Sequence, residues 1–224
     1  MNEPTRIVAI RHGETTWNVD TRIQGHLDIP LNATGRQQAA RMAQALRDEP
    51  IAAVYASDLA RAWETAGYLG RAHGLEVTVE EGLRERRFGD FEGKTFAEIE
   101  AALPDQSRRW RKREPEFAPQ GGESLLALSQ RVVEATERLA ARHRGELIAL
   151  VGHGGVMDVL YRAATRLEIQ APRTWALGNA AINRLLWTPE GFTLVGWADT
   201  QHLDENTRDD SLFVGTPVQG SASR

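Results

Sequence analysis

The chain contains no cysteine, which excludes disulfides, thiolate nucleophiles and cysteine-based metal sites. No apolar run approaches the length of a membrane helix. The segment Met1 to Ile10 carries charge, a proline and only a short apolar stretch, so neither a signal peptide nor a membrane span is expected there. A strong charge of one sign is missing too. The 27 Lys and Arg residues against 31 Asp and Glu leave a net charge of -4, which argues against general nucleic-acid binding. No internal repeat is visible. No pair of residues has the helical spacing of His-Glu-x-x-His, so a zinc hydrolase of that kind finds no support, although His12, His153 and carboxylates are ligand types. These absences fit a cytoplasmic address.

What is present is ordinary globular material: 224 residues, 41% hydrophobic and 26% charged, enough to bury a sizeable core. Arg6 to Ile10 reads as a short buried strand, ending at Arg11-His12-Gly13. Residues 14–33 read as loop. A helix is predicted from Gly35 to Arg47, capped by Thr34, with an apolar face of Ala39, Ala40, Ala43 and Leu46. A strand at Ala52 to Ala56 and a helix to His73, capped by Ser57 or Asp58, come next. Glu76 to Val79 alternates like a strand, and helical stretches lie near 95–102 and 105–113. Ser124 to Arg142 is amphipathic through Leu125, Leu128, Val132, Ala135 and Leu139. Leu147 to Val151 is a strongly apolar strand, followed by Gly152-His153-Gly154-Gly155 and a helix from Val156 to about Arg166. Two last strands, Ala181 to Trp187 and Phe192 to Trp197, flank a turn at Pro189-Glu190-Gly191. Residues 1–202 are expected to form a single domain, and 203–224 a polar tail with a disordered end.

Strand and helix alternate, which predicts an α/β sandwich of three layers with a mostly parallel central sheet. Ligands bind such sheets at the carboxyl ends of the strands. His12 and His153 both stand there, 141 residues apart in sequence, and one crevice is able to hold both. A histidine beside the permanent cation Arg11 is biased toward its neutral, nucleophilic form. Arg61, at the start of a helix, is suited to bidentate grip on phosphate oxygens, but an exposed helix arginine reads the same. Glu85 is able to exchange protons with a leaving alkoxide and water, or to pair with Arg84, Arg86 and Arg87 on the surface. His153 is either a donor to a bound anion or a packed loop histidine. Asn18, Gln24 and Gly25 are lesser candidates for contact with a ligand.

Six runs occur in order: Arg11-His12-Gly13-Glu14-Thr15-Thr16-Trp17-Asn18; Asp28-Ile29-Pro30-Leu31-Asn32-Ala33-Thr34-Gly35; Ser57-Asp58-Leu59-Ala60-Arg61-Ala62; Leu83-Arg84-Glu85 with Phe88-Gly89-Asp90-Phe91-Glu92-Gly93; Gly121-Gly122-Glu123-Ser124-Leu125; and Val151-Gly152-His153-Gly154-Gly155. Together they resemble the histidine phosphatase superfamily, the phosphoglycerate mutase-like group, from about Arg6 to His202. The resemblance implies a phosphoglycerate mutase-like fold and hydrolysis of a small phosphorylated metabolite through a phosphohistidine. His12 would take the phosphoryl group. Arg11, Arg61 and His153 would balance its charge, with Asn18 assisting. Glu85 would be the acid, then the base. Gln24, Gly25 and Gly154 would touch phosphate or substrate. No metal or other cofactor is implied, and the partner is a small phosphomonoester, with the chain a monomer or homodimer.

The same resemblance leaves a phosphoglycerate mutase as the alternative. Mutase members tend to carry Asn where Gly155 stands, and the segment after Gly93 is short, so hydrolysis is favoured. A catalytically silent phospho-ligand binder would typically lack the nucleophile or the acid, and both are present here. The cluster Arg108, Arg109, Arg111, Lys112 and Arg113 reads either as a solvated helix face balanced by Glu114 and Glu116, or as one or two cations that select an acidic substrate. Lys94 is a further candidate for that selection. Trp175, Leu177 and Trp187 are assigned to core packing in preference to an exposed interface.

Overall fold

The computed structural model describes residues 3–203, so most of the expected polar tail lies outside the described residues. In chain order its elements are β1 (Thr5–Arg11), the single turn α1 (Thr16–Val19), α2 (Ala33–Ala45), β2 (Ile51–Ala56), α3 (Ala60–His73), β3 (Val77–Val79), α4 (Phe96–Ala102), α5 (Pro104–Arg111), α6 (Leu125–Ala140), β4 (Leu147–Gly152), α7 (Gly154–Thr165), β5 (Ile182–Thr188) and β6 (Gly191–Asp199). Short 3₁₀ turns at Glu81–Leu83 and Gly89–Phe91 flank the segment that carries Glu85.

The sheet order is β3-β2-β4-β1-β5-β6. The first four strands run parallel, and β5 and β6 close one edge as an antiparallel pair. Every residue of the central strand β4 is buried, as expected for a strand covered on both faces. Alternate residues point to opposite layers. Val8, Ile10, Ala149 and Val151 meet Met42, Ala66 and Leu69 of α2 and α3. Ile7, Ala9, Ile148 and Leu150 meet Leu128, Val132, Val156 and Leu160 of α6 and α7. Trp175, Leu177 and Trp187 belong to this second core. A smaller cluster of Phe91, Ile99, Trp110 and Phe117 binds α4 and α5 to the edge of the sandwich.

Two expected caps are corrected. Asn32, not Thr34, caps α2, its Oδ1 accepting from Gly35 N at 2.8 Å. Neither Ser57 nor Asp58 caps α3: the N-cap position is Leu59, and Asp28 Oδ1 accepts from Ala60 N at 2.6 Å from a distant loop. The predicted loop 14–33 also holds the turn α1, closed by a reciprocal Thr15–Asn18 capping box.

Candidate active site

The register of β1 and β4 builds the centre of the site. Ile10 faces Val151 and Arg11 faces Gly152, so His12 and His153 leave adjacent strands at the same level. His12 N donates to Gly152 O at 2.9 Å, and the two imidazole centroids lie 5.2 Å apart. His12 is 2% exposed and His153 is fully buried.

Each ring has one nitrogen committed. His12 Nδ1 lies 2.7 Å from Gly13 O. A carbonyl only accepts, so Nδ1 carries the proton and Nε2 keeps its lone pair. His153 Nε2 lies 2.9 Å from Ser57 Oγ, and its Nδ1 is buried without a partner. With the serine hydroxyl donating to Nε2, the proton of the neutral His153 ring is on Nδ1. Burial, then Arg61 and Arg11, hold the His12 pKa well below its ordinary value against the opposing bond to Gly13. The neutral form was expected from Arg11 alone; burial is the larger cause. His153 is lowered by burial, then by Arg61, His12 and Arg11.

Arg61, in the first turn of α3, is fully buried. Nη1 donates to Leu27 O at 3.0 Å and Nη2 to Gly25 O at 2.8 Å, while Nε has no partner. Burial lowers its pKa to about 10, so it remains a cation at neutral pH. Arg11 is anchored through Nη1 to Leu177 O. Glu85 does not pair with its arginine neighbours. Its carboxylate accepts from Gly155 N at 3.1 Å to each oxygen, and Oε1 accepts from Arg86 N at 2.7 Å. Arg84 turns instead to Asp58, at 2.7 Å from Nε.

Two glycines are explained by close approach. A methyl group on Gly155 would overlap Glu85 Oε1, so a side chain there displaces the carboxylate. At Gly13 the constraint is internal: a Cβ would run into Gly35 O at the start of α2.

Arg11, His12, Asn18, Gln24, Gly25, Arg61, Glu85 and Gly154 line one cavity of about 220 Å³. His153 lies behind its wall, against His12. The candidates for substrate selection do not line it. Arg108, Arg109 and Arg111 point outward to Asp105, Glu114 and Glu100, and Lys94 contacts Asp90 O. Four other arginines line the cavity: Arg22, Arg86, Arg113 and Arg173. Of the basic cluster only Arg113 reaches it, bonded to Asp158 Oδ2 at 2.6 Å. Trp17, Phe88, Phe96 and Trp110 supply an aromatic wall. The cavity thus presents a cationic floor and a mixed apolar rim, suited to a small, strongly anionic ligand.

Sequence reasoning missed Asn179, whose Nδ2 donates to His12 O at 3.0 Å and lies 3.4 Å from Asn18 Oδ1. The Gly178-Asn179 turn before β5 was the available signal. Thr65 Oγ1, accepting from Gly13 N at 3.0 Å, was also missed. Asn18 itself is spent partly on capping α1, which fixes it beside His12.

Comparison with known proteins identifies the family. Residues 7–200 match the profile of the histidine phosphatase superfamily (branch 1). The chain is 39% identical over 218 residues to phosphoglycerate mutase-like protein 4 of Arabidopsis thaliana, covering 96% of this chain and 94% of that protein. It is 35% identical to the metal-independent phosphoserine phosphatase of the same plant, covering 90% and 84%. A solved structure of mycobacterial glucosyl-3-phosphoglycerate phosphatase complexed with VO3 superimposes with a TM-score of 0.78 at 34% identity, covering 87% of this chain and 99% of that one. No helix among the described residues is long and apolar enough to cross a membrane.

Proposed function

The chain belongs to the histidine phosphatase superfamily, and from that premise we propose that it hydrolyses phosphomonoesters of small metabolites through a covalent phosphohistidine on His12. The observation that carries the reading is the tautomer of His12: Nδ1 is bound to Gly13 O, so the lone pair is on Nε2, beside a cationic pocket.

In this reading Nε2 of His12 attacks phosphorus and the bond to the alcohol oxygen breaks. Arg11, Arg61 and the Nδ1 proton of His153 meet the equatorial oxygens, where transferring phosphoryl groups carry their charge. Asn18, Gln24, Gly25 and Gly154 line the rest of the phosphate's surroundings. Glu85 gives a proton to the departing alkoxide. The carboxylate then takes a proton from water, which attacks the phosphohistidine and releases inorganic phosphate. Splitting the reaction at a covalent intermediate replaces one difficult step by two easier ones. The arginines supply the positive charge, so the chemistry requires no metal.

The relatives are named for phosphoserine and glucosyl-3-phosphoglycerate, both phosphorylated metabolites of small size. The cationic cavity supports a substrate of this class, a phosphoglycerate-like ester or a sugar phosphate. Arg113 and its cavity neighbours, in place of Arg108, Arg109, Arg111 and Lys94, are proposed to select it. A screen of phosphomonoesters for released phosphate tests the reading. Turnover of at least one phosphorylated hydroxy acid, amino acid or sugar is expected, unchanged by EDTA. Conversion of 3-phosphoglycerate to 2-phosphoglycerate faster than phosphate release would replace hydrolysis by mutase activity.

A further inference from the structure

The segment carrying Glu85 has little regular structure to hold it. Residues 84–88 lie between two 3₁₀ turns. Beside them is an open groove lined by His26, Gly82, Arg84 and Arg131 among others. Hydrogen bonds hold the segment. The guanidinium of Arg131, on α6, reaches across and uses all five of its N–H donors. Nη1 donates to Gly82 O at 2.9 Å and to Arg84 O at 3.0 Å. Nη2 donates to Glu85 O at 3.3 Å and to Glu123 Oε2 at 2.8 Å, and Nε donates to Glu123 Oε1 at 2.9 Å.

Glu123 closes the other end. Its N donates to Arg87 O at 2.7 Å, its Oε2 accepts from Arg87 N at 3.3 Å, and its O accepts from Arg86 Nε at 2.8 Å. The bidentate Arg131–Glu123 pair therefore touches backbone on both sides of Glu85 and Glu85 itself. The carboxylate is fixed separately, by Gly155 N and Arg86 N. Only a planar fork with five donors makes this set of contacts; an ammonium has three and no fixed plane.

We propose that Arg131 and Glu123 are a positioning pair for proton transfer by Glu85: they set the loop so that its carboxyl meets the leaving oxygen. The proposal rests on Glu85 as the proton donor. Its consequence is selective. An alkyl phosphate releases a basic alkoxide that needs the proton, whereas p-nitrophenyl phosphate releases a stable phenolate that does not. A misplaced Glu85 must therefore slow the first substrate more than the second, while simple damage to the fold slows both alike.

The test compares kcat/KM for an alkyl phosphate accepted by the enzyme with that for p-nitrophenyl phosphate, in wild type and in Glu85→Gln, Arg131→Lys and Glu123→Gln, each checked by its melting temperature. A general acid contributes roughly 100-fold or more, so Glu85→Gln is expected to lower the alkyl-to-aryl ratio by about that factor. Arg131→Lys and Glu123→Gln are expected to lower it about tenfold, as a partial loss of the same effect. If Arg131→Lys does not fold, Glu123→Gln, nearly the same size, carries the test. An unchanged ratio in the positioning variants with a fallen ratio in Glu85→Gln overturns the proposal and leaves the acid in place. An unchanged ratio in Glu85→Gln itself overturns the acid assignment, and the positioning role with it.

Discussion

Lowering the pH should destabilise this protein measurably through its two site histidines. Burial holds His12 and His153 neutral, with pKa values well below the ordinary 6.5. The unfolded chain takes up a proton at each near that ordinary value, and the folded protein does not. A depressed folded-state pKa gives a contribution that is complete above the unfolded value and is lost as pH falls below it. For one histidine that stays neutral when folded, moving from pH 7.5 to 5.5 lowers the unfolding free energy by roughly 1 to 2 kcal/mol. The pair together gives roughly 2 to 3 kcal/mol, a sizeable share of a typical stability of roughly 5–15 kcal/mol. His202, lowered mainly by burial, adds a smaller contribution of the same sign. Urea denaturation at the two pH values, on wild type and on a His12→Asn, His153→Asn double variant, isolates the effect. The double variant's own stability is immaterial, since only the pH dependence is compared. Wild type should lose roughly 2 to 3 kcal/mol more than the variant across the interval. Equal losses would refute the neutral, buried histidines on which the nucleophile assignment depends.

Three other outcomes follow from the same geometry. Arg61→Lys keeps a charge but cannot hold Leu27 O and Gly25 O while presenting Nε to a phosphoryl group, so kcat should fall about 100- to 1,000-fold in steady-state assays. Gly155→Ala should displace the Glu85 carboxylate and cut turnover of alkyl phosphates by about 10- to 100-fold, with a smaller loss on p-nitrophenyl phosphate. Asn179→Ala removes a donor to His12 O and should lower kcat more than it raises KM, as read from full saturation curves.

Much of the site could be read along the chain because short-range pattern and strand position carry it. Apolar strands ending at His12 and His153 are visible as runs, and a parallel sheet brings such ends together. The cap positions were less legible: Ser57 and Asp58 look like helix caps, but long-range partners, His153 and Arg84, claim their side chains. Arg108, Arg109 and Arg111 were considered for the site because charge density was weighed without helical phase. On α5 the buried residues are Ser107 and Trp110, which turns those arginines outward. Arg113 lies past the end of the helix in a left-handed conformation and reaches the cavity from there, a placement that helical phase does not give. Arg131 and Glu123 were not accessible in this way, since their partners at 82–87 lie some 40 residues away and meet them mostly through backbone groups, which leave no side-chain signature.

The central claim is the phosphohistidine on His12, and rapid-quench trapping tests it most directly. Enzyme mixed with ³²P-labelled substrate and quenched in alkali should carry label, approaching one phosphoryl group per chain if breakdown of the intermediate limits turnover. Peptide mapping should place that label on His12, the His12→Ala variant should carry none, and acid should release it. Label that survives acid, maps to another residue, or persists in His12→Ala contradicts the account.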